Sequence, residues 1–195
     1  MQRAFLLALF LQSSLAAHAA DSAYTKVNFE ADCKAVSEDE LGGAWICKGY
    51  REWKEHFAEG DLRQSAFYGY LGPWFDKGAF ESFGHFNHAG ETIEWRLAGG
   101  VPFATIRRWF VQGDLDDSGE AGEVQVLVVS KVGQKGKGDA CVVGYIEATA
   151  TPNANALARE IADTKARDFA CRQDEPQWYG IRKSEQLVEM RNFTE

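Results

Sequence analysis

Alternation of apolar and polar positions runs through most of the chain and sets its organisation. The stretch from Ala44 to Gly69 carries Cys47, two tryptophans and the aromatics Tyr50, Phe57, Phe67 and Tyr68, with the acidic turn Glu59-Gly60-Asp61 between its apolar runs. This pattern predicts an antiparallel hairpin or meander on which later strands are laid. Trp45 and Cys47 fall on one face, with Ile46, Lys48 and Tyr50 on the other. Leu62, Gln64, Ala66, Tyr68 and Tyr70 share a face further on. Before this stretch, Asp21 to Glu40 is polar and loosely patterned, with Val27 and Phe29 marking a short edge strand.

Glu91 to Leu97 is the cleanest period-two run, setting Glu91, Ile93, Trp95 and Leu97 against Thr92, Glu94 and Arg96. Phe103 to Val111 predicts another strand, which puts Arg107 and Arg108 on opposite faces, so one of them must reach solvent or a carboxylate. Val124 to Val132 is dense in Val and Leu on both faces, as expected of a central strand covered on both sides. The GQKGKGD loop from Gly133 to Asp139 then turns the chain into a strand from Cys141 to Thr149.

The period changes after Thr149. Thr151 as N-cap and Pro152 at the first helical position open a helix running to about Ala170. Ala154, Leu157, Ala158, Ile161, Ala162 and Phe169 form its apolar stripe, with Arg159, Asp163 and Arg167 opposite. A stripe built mostly of alanine allows close approach to a sheet. Ser184 to Met190 predicts a short terminal helix. The pattern as a whole predicts an α+β fold: a curved antiparallel sheet of about seven to nine strands with a C-terminal helix packed on one face.

Residues 1–20 resemble a secretory signal peptide: Arg3 supplies the positive start, Ala4 to Leu11 the apolar run, and Ala17-His18-Ala19 the small-x-small cleavage pattern. The apolar run is shorter than the roughly 20 residues that span a bilayer. Cleavage leaves residues 21–195 as one globular α+β domain with no membrane span, in a periplasmic or secreted location. All four cysteines follow the cleavage site. An even count in an exported chain reads as two disulfides, and the spacing pairs Cys33 with Cys47 and Cys141 with Cys171. A loop near 15 residues closed this way gains about 3 kcal/mol in the chain-entropy account. The wide separations lack the C-x₂₋₄-C pairs of structural zinc sites.

The formal charge is −8, and one unit more negative once Arg3 is removed with the leader. That balance argues against nucleic acid and anionic membranes as partners, because both attract basic surfaces, and it permits a cationic partner.

Candidate chemistry is sparse. Asp114 to Gln125, DLDDSGEAGEVQ, partly resembles an EF-hand loop, with Asp114, Asp116 and Ser118 in the first, third and fifth positions, Gly119 in the sixth and Glu120 in the seventh. Calcium favours such hard oxygens. The last position is Gln125 rather than a bidentate Glu, and strands flank the loop, so a solvated acidic hairpin turn competes with this reading. His56, His85 and His88 are the mature histidines, and Gly84, Asn87 and Gly90 make a loop of the last two. Trp53 and Trp74 lie beside turns, where either can stack on a sugar ring or a partner side chain. A carboxylate pair such as Glu59 with Asp61, or Glu91 with Glu94, is able to do acid–base work, with exposed charge as the default reading. No nucleophile elbow, zincin motif or dinucleotide fingerprint occurs.

The stretches AWICKGY, AEGDLRQ and the NANALAREIAD helix ending near Cys171 give the chain a pattern similar to small secreted proteins of Gram-negative bacteria that have no assigned function. That resemblance implies a periplasmic address and carries no functional residues. Three functions are expected on these grounds. The leading one is a non-catalytic binding or interaction module for a cell-wall glycan or a cationic protein. The alternatives are a calcium-binding module built on the Asp114–Gln125 loop and a carboxylate-dependent hydrolase.

Overall fold

The computed structural model describes residues 20–115, 119 and 121–193, so the signal peptide expected over residues 1–20 lies, apart from Ala20, outside the described residues. The hydrophobic alternation folds into strands β1 (Asp21–Lys26), β2 (Cys33–Asp39), β3 (Gly42–Tyr50), β4 (Trp53–Gly60), β5 (Arg63–Gly69), β6 (Phe80–Phe83), β7 (Asn87–Ala98), β8 (Val101–Leu115), β9 (Ala121–Gly133), β10 (Cys141–Glu147), β11 (Gln177–Tyr179) and β12 (Glu189–Asn192). A single helical turn, α1 (Phe29–Asp32), and one longer helix, α2 (Ala154–Lys165), complete the main elements.

Eight strands lie on one path in the order β1-β7-β8-β9-β5-β4-β3-β2; β10 branches from β9 and carries β11, while β6 and β12 form a separate ribbon. Every pairing on that path is antiparallel except β5 with β9, a parallel seam of two rungs, Tyr68↔Val132 and Gly69↔Gly133. The sheet is curled and open. Register shifts at Cys47/Tyr50, Ala89/Ile93 and Gln112/Leu115 interrupt the long strands. Such bulges bend a strand and increase its twist, which is how a sheet of this length curls.

The inner face packs Trp53, Phe57 and Tyr68 from one half against Ile93, Trp95, Trp109 and Val128 from the other. On the outer face, Ala104, Ile106, Leu127, Val129 and Val143 meet Ala154, Ala158, Ile161 and Ala162 of α2. The central strand β9 is therefore covered on both sides, as its composition predicts. Glu94 and Arg96 on the polar side of β7 are buried as well, because α2 supplies matching charges. Arg159 holds Glu94 through Nε at 2.7 Å and Nη2 at 3.1 Å, and Asp163 holds Arg96 at 2.9 and 2.6 Å.

Both predicted disulfides form. Cys33 and Cys47 are directly opposed on β2 and β3, and Cys141 at the start of β10 bonds Cys171 beyond α2. Three local expectations are corrected. Val27 and Phe29 do not make an edge strand; β1 ends at Lys26 and Phe29 opens α1. Helix α2 begins at Ala154 after Asn153 in the left-handed region (φ 57°) and ends at Lys165, short of Ala170. Thr151 is not its N-cap: the hydroxyl donates to the Ile181 carbonyl and accepts from the Ile181 N–H, both at 3.0 Å. Ser184 to Met190 is not helical, since Glu189–Asn192 pairs with β6 as a strand. Among the described residues no helix is long and apolar enough to cross a membrane.

Candidate functional site

Where the curled sheet is open, the crossover from β1 to β2 lies over its mouth. Residues 27–30 of that crossover, with Lys26 at the end of β1, roof a cavity of about 550 Å³. Val27 donates its N–H to the Glu91 carbonyl at 2.9 Å, which fastens one end to β7. The Cys33–Cys47 bond fastens the other end to β3, and Cys47 itself lines the cavity. Between these anchors, Asn28 caps α1 by accepting the Ala31 N–H at 3.1 Å. Lys48 donates to Asp32 at 2.6 Å. That contact and the Asn28 N–H hold the Asp32 carboxyl below its ordinary range. Phe29 sets its ring edge-on to Trp45 and Phe57, with centroids 5.1 and 5.5 Å away.

The floor is polar and buried. Arg107 of β8 reaches across the interior, donating through Nη1 to Glu55 Oε1 on β4 and through Nε to the Gly90 carbonyl at 2.6 Å. Glu55 is fully buried, and its second oxygen, Oε2, meets no hydrogen-bond donor of the protein. Burial pushes the Glu55 carboxyl above its ordinary range, with the Arg107 charge pulling the other way. Burial also opposes the Arg107 charge, but Glu55 and the neighbouring Tyr68 outweigh it and keep the guanidinium protonated. Buried charges are tolerated only when paired in this way.

The walls combine Phe57 and Ala89 with Gln64, Glu59 and Glu91. Gln64 acts as a brace, donating its amide to Glu59 Oε2 at 2.8 Å and accepting the Ala89 N–H at 2.8 Å. The volume is that of a usual ligand pocket, but polar and charged side chains outnumber apolar ones in the lining, with Phe29 and Phe57 as its aromatic part.

The structure brings together residues that sequence reasoning kept apart. Glu59 and Glu91 enter the same cavity, one from each predicted carboxylate pair, while their former partners turn elsewhere. Asp61 lies in an exposed turn bonded to Arg63 at 2.6 Å, and Glu94 faces α2. Glu55 and the cavity role of Arg107 were missed. Only the placement of two arginines on opposite faces of β8 pointed to Arg107, and its neighbour Arg108 indeed turns the other way to donate to Gln125 at 2.9 Å.

Trp53 is part of the inner core, edge-on to Tyr70 with centroids 6.0 Å apart, and has no open face. Trp74 is half-buried beside an open depression, donating its indole N–H to the Gly138 carbonyl at 2.8 Å. The histidines do not converge. His56 Nε2 lies 3.1 Å from the Gly69 carbonyl, His88 stacks on Phe110, and His85 stands 3.8 Å from Asp114. Of the calcium-loop residues, Asp116, Ser118 and Glu120 lie outside the described residues, and Asp114 is exposed. Among the described residues no three His, Cys, Asp or Glu side chains gather at metal-holding distance. Compared with family models, with curated proteins and with solved structures, the chain matches none.

Proposed function

We propose that the protein is a non-catalytic binding module of the periplasm or extracellular space, and that its site is the cavity beneath the β1–β2 crossover. The observation that carries this reading is the cavity itself, about 550 Å³ in volume and lined by Phe57, Glu55, Arg107 and the braced Glu59. Two disulfides fit an oxidising compartment, and the leader-like segment fits export. Glu55 is already engaged with Arg107 and Glu59 with Gln64, so these acids serve to hold a shape rather than to exchange protons with a substrate.

The test is equilibrium titration of the mature protein with cell-wall glycan fragments, a basic protein such as lysozyme, and a panel of small polar and charged molecules. Intrinsic tryptophan fluorescence and melting temperature are the readouts, since a ligand that binds only the native state must raise the midpoint. The comparison is Ala89→Trp, which fills the cavity. A ligand bound by the native protein and lost in Ala89→Trp is expected. Binding that survives the filling would move the site elsewhere, and cleavage of the added glycan fragments into shorter ones would replace binding by hydrolysis.

A further inference from the structure

The chemistry of the cavity narrows what it takes. Resting on the binding reading above, we infer that the ligand is an organic cation carrying N–H donors: a primary ammonium on an apolar stem, whether a free amine or the side chain of a lysine. Three features converge on this class. First, Glu55 and Arg107 cancel on the floor, and the remaining charged residues of the lining, Glu30, Glu59 and Glu91 against Lys26, leave the cavity two charges negative.

Second, Glu55 Oε2 is an acceptor without a donor in a fully buried side chain at the cavity floor. An unmet buried acceptor is costly, and an ammonium hydrogen removes that cost where a carboxylate or carbonyl ligand cannot. Third, Phe29 and Phe57 line the same space, and an alkyl stem or an ammonium is accommodated against aromatic rings. The ammonium is directed to Glu55 Oε2 within the negative field of Glu59 and Glu91, and the stem lies against Phe29 and Phe57. An anionic ligand meets the opposite field throughout.

Calorimetric titration of the mature protein at low salt tests the assignment. The probes are 1,5-diaminopentane, N-acetyl-lysine methylamide, a lysine-containing peptide, and two controls with the amine replaced by a hydroxyl or a carboxylate. The amines are expected to bind, the hydroxyl and carboxylate analogues to bind at least about tenfold more weakly, and added salt to weaken the amines. Tighter binding of the free diamine identifies a small-molecule source, and tighter binding of the peptide a protein source.

Glu59→Gln/Glu91→Gln leaves the Glu55–Arg107 pair intact and should weaken amine binding at least about tenfold. Glu185→Gln, remote from the cavity lining, should not. If the native protein binds the hydroxyl or carboxylate analogue in a manner lost in Ala89→Trp and ignores the amines, the cationic assignment is overturned while the cavity remains a binding site. If amine binding is unchanged by both the double substitution and Ala89→Trp, the cavity is not the amine's site, and both readings fail.

Discussion

Glu81 shows how a single buried side chain makes stability depend on pH. It accepts the Val142 N–H at 2.6 Å and the Arg191 Nε–H at 2.9 Å beneath the β6–β12 ribbon. Burial pushes its carboxyl up to about 7, against the opposing pull of those two donors. Between its ordinary value near 4.5 and about 7, the folded protein holds a proton that the unfolded chain releases. Glu81 therefore contributes stability at acidic pH that is lost as pH rises through this window. In urea denaturation from pH 5 to pH 8, the stability deficit of Glu81→Gln relative to the native protein should shrink with rising pH, by at most about 1.4 kcal/mol per unit. A deficit independent of pH would show that Glu81 is ionised throughout. The Glu55–Arg107 pair makes a different prediction. Removing one member strands a buried charge, so Glu55→Ala should cost about 3–5 kcal/mol, and adding Arg107→Met should recover much of that loss. The same denaturation measurement checks it, and equal stability of the single and double variants would count against the pair. Neither role was legible along the chain. A Glu at 55 in a period-two strand is ordinary until β8 is placed opposite β4, and Glu81 sits in a four-residue strand whose partners come from Val142 and Arg191, both far away in sequence.

At the level of the elements, the two disulfides have different duties although both closed where the cysteine spacing put them. Cys33–Cys47, 14 residues apart, anchors the crossover that roofs the cavity. Cys141–Cys171, 30 residues apart, fixes the chain beyond α2 to the first residue of β10, next to the core. Cys33→Ser/Cys47→Ser should therefore abolish or sharply weaken ligand binding while leaving much of the fold in place. Cys141→Ser/Cys171→Ser should lower the melting temperature with ligand affinity retained in the folded fraction. Each removal is expected to cost about 2–5 kcal/mol, so melts and titrations must be read together. Element existence was legible for a physical reason: Trp95, Val126 to Val129 and the alanines of α2 report burial directly through their spacing. Boundaries were less so. Thr151 and Pro152 carry a strong helix-start signal, yet Thr151 is claimed by Ile181 from the C-terminal segment, and Asn153 starts the helix instead. The terminal stretch from Ser184 reads locally as helix because its strand pairing depends on β6, more than a hundred residues earlier.

Across the molecule, alternation and cysteine spacing were enough to foresee a curved sheet, a C-terminal helix packed on one face and two crosslinks, but not the path of the sheet. Local pattern cannot say that β1 pairs β7 or that β5 meets β9, because both depend on closing long loops. The meeting of β5 and β9 rests on two facing glycines. A Cβ on Gly133 would lie 2.1 Å from the Tyr70 carbonyl oxygen, and one on Gly69 would lie 2.4 Å from the Gly133 oxygen. Gly133→Ala should therefore destabilise the protein by at least about 2 kcal/mol in denaturant titrations, and a neutral outcome would mean the backbones can part without penalty. The joint also shapes how the protein opens. Two broad leaves, β1-β7-β8-β9 and β5-β4-β3-β2, share only two parallel rungs, whereas the ladders within each leaf are long. What holds the leaves together is therefore less the ladder than the filling between them, Trp53, Phe57 and Tyr68 against Trp95, Trp109 and Val128 with the Glu55–Arg107 pair beside them, so parting the two means emptying that shared interior rather than unzipping a seam.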